Sequence, residues 1–397
     1  MKAKTIQKKA YSPGVALGLL LLLGGGAAWA EPLFKVGFVV PSDRDDPFFS
    51  QVYKAMQAAA SDLNIELVVE FSGRSMPMYA RRHGYKMMKN HKPNYFVTGN
   101  WPGAAKYHLQ EAEELAIKTF VINSPVGANT EFPAGTPRDK LSGWLGQMSP
   151  NNFQASYLLA DILIKEARQR KLASAGGRVR LIALSGNMED ATATNRLNGL
   201  KTRIDGNQDA VLQEVVLAGW QKDTAYRETQ RLLEEFPDTA VVWAASDLMA
   251  QGAAEAAERA GRKVGEDIVI GGFDWNNENL RDIEKHRLTA SVGGHVLEGA
   301  WALVLLYDYH KGIDFARELG TSFESSMYAI TTGNIEQYAR LAEGMDWDSI
   351  DFTRFSKALN PEIKGYDFSL PMLFKALADD TAVADNSEVD VKSDKKH

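Results

Sequence analysis

The chain contains no cysteine, which excludes several kinds of chemistry. None of its 397 residues can form a disulfide framework, a thiolate nucleophile or a cysteine-bound zinc site. Histidine is scarce as well, with seven residues scattered singly. His295 and Glu298 have the spacing of one helical turn and could suggest a metal pair, but nothing in the sequence supplies a third ligand. We therefore predict no metal site.

Sequence motifs of catalysis and nucleotide binding are also missing. There is no nucleophile elbow, Walker loop, dinucleotide fingerprint or zinc-binding helix motif. Two carboxylates facing each other across a cleft could still cleave a glycosidic bond, so a hydrolase remains the weaker alternative. We predict no catalytic residues and no cofactor.

The chain has no surplus of positive charge. Its formal net charge is −6, and the first thirty residues contribute four lysines and no acid. Without those lysines the formal net charge would be about −10, which disfavours binding to a polyanion. We therefore expect no nucleic-acid partner.

Apolar runs of about eighteen residues, as needed to span a bilayer, are absent. The stretch Val15 to Leu23 is shorter, follows a lysine-rich start, and precedes Ala28-Trp29-Ala30, a small-x-small cleavage pattern. We predict that residues 1–30 are a signal peptide, cleaved after Ala30, and that the protein is periplasmic. A retained N-terminal anchor is the alternative.

The chain is rich in alternating strand and helix patterns, most clearly between residues 239 and 275. Val241 to Ala244 is an apolar run, Asp247 is a candidate helix N-cap, Gly261 ends the helix, and Ile268 to Phe273 is apolar again. This pattern predicts a parallel βαβ unit. Residues after the carboxyl ends of such strands face a ligand crevice, and here these are Ser246, Asp247, Asp274 and Trp275.

The same alternation occurs in two series, which predicts two doubly wound α/β domains. Helical patterns separate the apolar runs in both series. The first series has strands expected at residues 34–40, 65–71, 95–98 and 119–122, and the second at residues 179–184, 211–217, 241–244, 268–273 and 288–292.

Five motifs in order resemble those of type I periplasmic binding proteins, in the branch that includes ribose- and galactose-binding proteins. The resemblance covers about Phe34 to Leu341. The motifs are Phe38–Pro41 with Asp46–Phe49, then Asn195–Gly199, Ala245–Ala253, Gly272–Asp274 and Thr332–Ile335.

This resemblance implies two Rossmann-like lobes with parallel sheets, joined by a three-segment hinge around a ligand cleft. The first lobe would comprise residues 33–146 and 294–322, and the second residues 147–293 and 323–345. The crossings would fall near residues 146–149, 293–294 and 323–326. Gly293 and Gly294 suit a hinge because glycine adopts backbone angles that other residues resist.

The resemblance also implies the pocket. Phe48 and Phe49 match an aromatic pair that lies against a sugar ring, and Asp247 and Asp274 match polar groups that bind its hydroxyls. Trp101 and Trp275 are further stacking candidates, Trp220 is a weaker one, and Arg196 is expected to serve structure. Several positions depart from the family pattern: Asp46 and Ser246 replace Asn, Asn123 and Ser124 replace Asp and Arg, Thr194 replaces an Arg, and Gly294, followed by His295, replaces a Gln.

These departures favour a particular class of ligand. With Thr194 in place of the family's arginine, the pocket lacks the hydrogen-bond donors of a guanidinium. Asp46 in place of asparagine adds an acceptor. The pocket is expected to favour a neutral sugar or polyol, or a ligand with an amine, over a phosphate or carboxylic acid. The predicted ligand-binding residues are Asp46, Phe48, Phe49, Trp101, Asn123, Thr194, Ser246, Asp247, Asp274, Trp275 and His295.

The resemblance further implies a monomer that closes on its ligand and presents the closed form to an ABC importer. The alternative is a membrane sensor kinase or cyclase as partner. Past the family core, residues 346–378 are rich in aromatics and are predicted to pack on a lobe. Residues 379–397 are rich in acidic and small residues and also contain lysines, a composition that predicts a disordered tail.

Overall fold

The computed structural model describes residues 31–73, 77–127, 135–338, 344 and 346–376. The predicted signal peptide and disordered tail lie outside these residues. No helix in the described part of the chain is both long enough and apolar enough to cross a bilayer.

The first lobe is built on a six-stranded sheet in which all strand pairs are parallel. The strands are β1 (Phe34–Val40), β2 (Ile65–Phe71), β3 (Tyr95–Thr98), β4 (Lys118–Ile122), β5 (Trp144–Pro150) and β11 (Ser322–Ser325). Their spatial order is β11-β5-β4-β3-β1-β2.

The second lobe has a six-stranded sheet. Its strands are β6 (Val179–Ser185), β7 (Ala210–Leu217), β8 (Val241–Ala244), β9 (Val269–Phe273), β10 (Ala290–Gly293) and β12 (Tyr328–Thr331). Their spatial order is β12-β10-β9-β8-β6-β7, and all pairs are parallel except the edge pair of β10 with β12. The chain therefore forms two α/β lobes, as the alternation predicts.

Helices flank the sheets, so the central strands are buried on both faces. All four residues of β8 are buried, as expected for a short apolar run inside a parallel sheet. The helices are α1 (Pro47–Asp62), α2 (Pro77–His91), α3 (Ala105–Glu114), α4 (Asn152–Gln169), α5 (Ala191–Asn207), α6 (Lys222–Glu235), α7 (Asp247–Arg259), α8 (Asn277–Glu284), α9 (Glu298–His310), α10 (Ala316–Leu319) and α11 (Leu370–Ala376).

Two strands extend the first sheet beyond the lobe boundaries expected from the sequence. Strand β5 continues to Pro150 and pairs with β4 and β11, so residues 147–150 and 323–325 belong to the first sheet. Phe323 of β11 packs against Phe120 and Phe315 of the first lobe. Sequence pattern shows where a strand is, whereas the choice of its partner depends on such packing.

Residues 346–376, called here the C-terminal extension, pack on the first lobe. Trp347 Nε1 donates to Gln51 Oε1 at 2.8 Å, and the Phe352 backbone N–H donates to Asp62 Oδ2 at 2.8 Å. Both acceptors belong to α1. Trp347 and Phe352 are buried, so the extension adds to the core of this lobe.

Candidate functional site

Three aromatic side chains of the first lobe lie together, Phe48, Phe49 and Trp101, and are called here the aromatic wall. Asp46 caps α1 by accepting hydrogen bonds from the backbone N–H groups of Phe48 and Phe49, at 3.0 and 2.9 Å. The two rings meet edge to face at 5.0 Å, and Phe49 meets Trp101 in the same way at 5.2 Å. Trp101 Nε1 donates to Asn123 Oδ1 at 3.1 Å, which fixes the indole. All these side chains are partly exposed.

His295 joins the aromatic wall to the second lobe. It follows β10, is buried, and stacks on Phe48 with ring centroids 4.8 Å apart. Its Nε2 lies 3.3 Å from Asp274 Oδ1 and 3.3 Å from an Arg196 nitrogen. Burial lowers the pKa of His295, so the ring is neutral at neutral pH.

Asp274 directs its carboxylate toward the same place. It follows β9 with a φ of +112°, in the region that non-glycine residues rarely adopt. Burial is the main cause that raises the pKa of Asp46, and the negative charge of Asp274 raises it further, while the N–H groups of Phe49 and Phe48 oppose the rise. Two carboxyls, one from each lobe, therefore repel each other across the space between the lobes.

Arg196 is the centre of a buried polar cluster on α5. Its Nε donates to Asn152 Oδ1 at 2.8 Å, and its Nη1 donates to the Ala245 carbonyl at 2.6 Å and lies 3.7 Å from Asp274. Its guanidinium also lies 4.3 Å from the centre of the Phe273 ring. These contacts agree with the structural role expected for Arg196, because they hold the loop that carries Asp274.

Four other predicted site residues lie in supporting positions. Asp247 is fully buried and accepts from the Asn276 N–H at 2.8 Å and from Ser291 Oγ at 2.9 Å, while its Oδ1 has no hydrogen-bond partner among the described residues. Ser246 Oγ accepts from the backbone N–H of Met249 and so caps α7. Thr194 donates to the Met188 carbonyl. Whether these residues contact a ligand stays a prediction.

Trp275 is the fourth of these residues, and it packs against β10 and β12. Its Nε1 donates to the carbonyls of Ser291 and Tyr328 at 3.2 and 3.1 Å. The indole covers Gly293 so closely that a Cβ there would lie 2.4 Å from the ring. Gly293 is therefore required by the close approach of Trp275.

A further acid near Arg196, Asp190, was not predicted from the sequence. Asp190 caps α5 by accepting from the Thr192 N–H at 2.8 Å. Burial raises the pKa of Asp190, and the nearby Arg196 and Trp220 partly oppose that rise. The Asp-Ala-Thr-Ala-Thr stretch carries an N-cap signal that could have located it.

A buried carboxyl, Glu298, lies at the start of α9. The backbone N–H of Asn123 donates to its Oε2 at 2.7 Å, and Ser325 Oγ donates to its Oε1. Burial raises the pKa of Glu298 to about 8, although both hydrogen bonds oppose the rise. Glu298 therefore carries a proton at neutral pH, close to the third crossing between the lobes.

We expect the substitution Glu298→Gln to change how stability depends on pH. The raised pKa means that the contribution of Glu298 to stability is fully present below pH 4.5 and is lost as the pH rises through about 8. Glutamine mimics the protonated acid, so the variant should gain stability relative to the wild type over this range, by up to about 1.4 kcal/mol per pH unit. Melting temperatures from pH 5 to pH 9 measure this difference. The control is Glu336→Gln at an exposed position, whose melting temperature should differ from that of the wild type by the same amount at every pH. The same pH-independent difference for Glu298→Gln would contradict the prediction.

Comparison with known proteins assigns the family. A family model described as a periplasmic binding protein domain matches residues 36–314. The chain belongs to this family. The resemblance to type I periplasmic binding proteins is thereby confirmed, together with their two-lobed α/β fold.

Individual relatives of this periplasmic binding protein have names that refer to sugars. A periplasmic sugar-binding protein from Pseudomonas fluorescens, of known crystal structure, is 29% identical with a TM-score of 0.76, over 86% of this chain and 100% of that one. The D-apiose import binding protein of Paraburkholderia graminis is 26% identical over 287 residues, which are 72% of this chain and 83% of that protein. The D-allose-binding periplasmic protein of Escherichia coli is 30% identical over 142 residues, 36% and 44% of the two chains.

Family membership decides two of the predictions. Periplasmic binding proteins are solute receptors, so the prediction that this protein is not an enzyme is confirmed. The family also implies a periplasmic location. Cleavage after Ala30 stays a prediction.

Proposed function

We propose that this periplasmic binding protein captures a sugar or sugar-like polyol between its lobes and delivers it to an ABC importer. The observation that carries the proposal is the meeting of Phe48, from the first lobe, with the cluster of His295, Asp274 and Arg196. A sugar has an apolar ring face and polar hydroxyls at its edge. Such a ligand needs an aromatic surface beside hydrogen-bonding groups, as found here.

The charges near the aromatic wall support a neutral or cationic ligand. Among the described residues, Asp46, Asp190 and Asp274 outnumber Arg196, whose donors already serve Asn152 and Ala245. An anionic ligand would add negative charge to this surplus of acids. The names of the relatives from Paraburkholderia and Escherichia support a sugar.

The proposed mechanism is hinge closure in the periplasm. Ligand that contacts both lobes stabilises the closed arrangement by the difference in its contacts. The importer would then bind the closed form of a monomer released from its signal peptide after Ala30. We propose residues 150–151, 293–294 and 326–327, where the two sheets end or begin, as the crossings that bend.

The test is a calorimetric titration with D-apiose, D-allose, myo-inositol and an anionic control, glucose 6-phosphate. At least one neutral compound should bind, and the phosphate should not. We expect Phe48→Ala to weaken the binding by about 30-fold, because a ring of this size contributes about 2 kcal/mol when it is covered.

The matched control for this prediction is Tyr85→Ala, which removes an exposed aromatic side chain from α2 of the same lobe. It should leave the affinity unchanged. If Phe48→Ala and the wild type bind with equal affinity, the aromatic wall is not part of the binding site. Mass spectrometry of small molecules released from the denatured protein gives an independent identification of the ligand.

A further inference from the structure

The C-terminal extension is firmly attached to the first lobe. Phe355 and Phe368 pack on Trp301 of α9, with ring centroids 4.6 and 4.8 Å apart. Asp308, also on α9 and fully buried, accepts hydrogen bonds from the backbone N–H of Lys357 at 2.8 Å and from the Tyr366 hydroxyl at 2.8 Å. The extension therefore moves with the first lobe.

The last helix of the extension, α11, lies directly on the hinge. Leu370 and Leu373 of α11 face Gly294 of the second crossing and Ser326 of the third. The cavity between them has a volume of ≈ 10 Å³, about the space of one water molecule. Helix α11 and the proposed hinge residues therefore line the same narrow cavity.

The same helix also reaches the second lobe. Phe374 of α11 packs on Tyr338, with ring centroids 5.5 Å apart. Tyr338 ends a helical turn, Ile335–Tyr338, that follows β12 and packs against α8. Tyr338 thus belongs to the second lobe, whereas Trp347, further along the chain, packs on the first.

We propose that the C-terminal extension is a strap that restrains the hinge and holds the lobes in the orientation seen here. Because α11 is fixed on the first lobe, a rotation of the second lobe would separate Tyr338 from Phe374. An aromatic contact of this kind changes a conformational equilibrium by about threefold to tenfold. Binding of a solute does not require such a restraint, so the strap goes beyond the proposed function.

The distance between the lobes can be measured without any ligand. The chain has no cysteine, so Lys86→Cys on α2 and Lys201→Cys on α5, both at exposed positions, provide unique sites for spin labels. Double electron–electron resonance on the full mature chain then gives the distribution of distances between the two lobes. We expect Phe374→Ala to increase the population of other lobe orientations by about threefold to tenfold.

Three further variants complete this test. Tyr338→Ala removes the other half of the contact without changing the extension, and should have the same effect as Phe374→Ala. The double variant should show no more change than either single one, because both remove one interaction. Leu359→Ala is the control, since Leu359 lies in the extension and is 43% exposed; it should leave the distance distribution unchanged.

Unchanged distance distributions in Phe374→Ala and Tyr338→Ala would overturn the proposal. If Phe374→Ala disturbs the folding of the extension, as thermal unfolding would show, Tyr338→Ala decides. The experiment uses no sugar, so failure of the strap leaves the sugar titrations unaffected. Conversely, failure to bind any sugar would not contradict the proposed strap.

Discussion

Replacing Asp308 with alanine is expected to destabilise the protein by about 3–5 kcal/mol and to release the C-terminal extension. The carboxylate is fully buried and accepts hydrogen bonds from four groups of the extension. They are the Ser356 hydroxyl, the backbone N–H groups of Lys357 and Ala358, and the Tyr366 hydroxyl. In the variant, these donors lose their common acceptor while they remain away from water.

Urea unfolding measures the free energy, and hydrogen exchange shows whether residues 352–366 lose protection. Asp308→Asn should be intermediate, because its amide keeps one acceptor oxygen but presents a donor to groups that also donate. The control is Glu362→Ala, an exposed acid of the same extension. A loss below about 1 kcal/mol for Asp308→Ala, as for an ordinary surface change, would contradict the prediction.

Arg196→Met should be similarly destabilising, by about 3–5 kcal/mol, since it removes one side of a buried ionic cluster. Methionine keeps the apolar stem but leaves Asn152 Oδ1 and the Ala245 carbonyl without their donor. It also removes the positive charge next to Asp190, Asp247 and Asp274. Sugar binding should be weakened as well, because the loop that carries Asp274 loses its support.

A double variant separates the loss of charge from the loss of packing. Adding Asp274→Asn to Arg196→Met removes one of the unpaired acids, so the double variant should lose less stability than the sum of the single changes. Arg227→Met, at an exposed position of α6, is the control for replacing an arginine as such. Strict additivity of the two changes would show that the charges of Arg196 and Asp274 are not coupled.

Some of the candidate site follows from local sequence. The Asp46-Pro47-Phe48-Phe49 turn combines a helix cap with proline at the first helical position, and the structure shows this cap. Asp274 was predictable because it follows an apolar strand run, and strand ends in parallel sheets share one edge. In both cases, residues close together in the chain carry the signal.

Other parts depend on residues far apart in the chain. The backbone of Asn123 and the side chain of Ser325 meet at Glu298, and no periodicity connects these three positions. Asp247 has the same strand-end signal as Asp274 but is fully buried, and its Oδ2 accepts hydrogen bonds from the Asn276 N–H and from Ser291 Oγ. The motif predicts that both acids lie at strand ends and does not show which of them is buried.

The amino-acid sequence alone determined the alternation of strands and helices, the division into two α/β lobes and the family, since these depend on hydrophobic period, caps and short motifs. Only the tertiary structure decided that β5 and β11 belong to the first sheet, that Arg196 is enclosed by acids, and that Phe374 of the extension meets Tyr338 of the second lobe. The physical reason is that local backbone preference acts over a few residues. Burial, pairing and electrostatic coupling depend on which distant segments meet once the chain has folded.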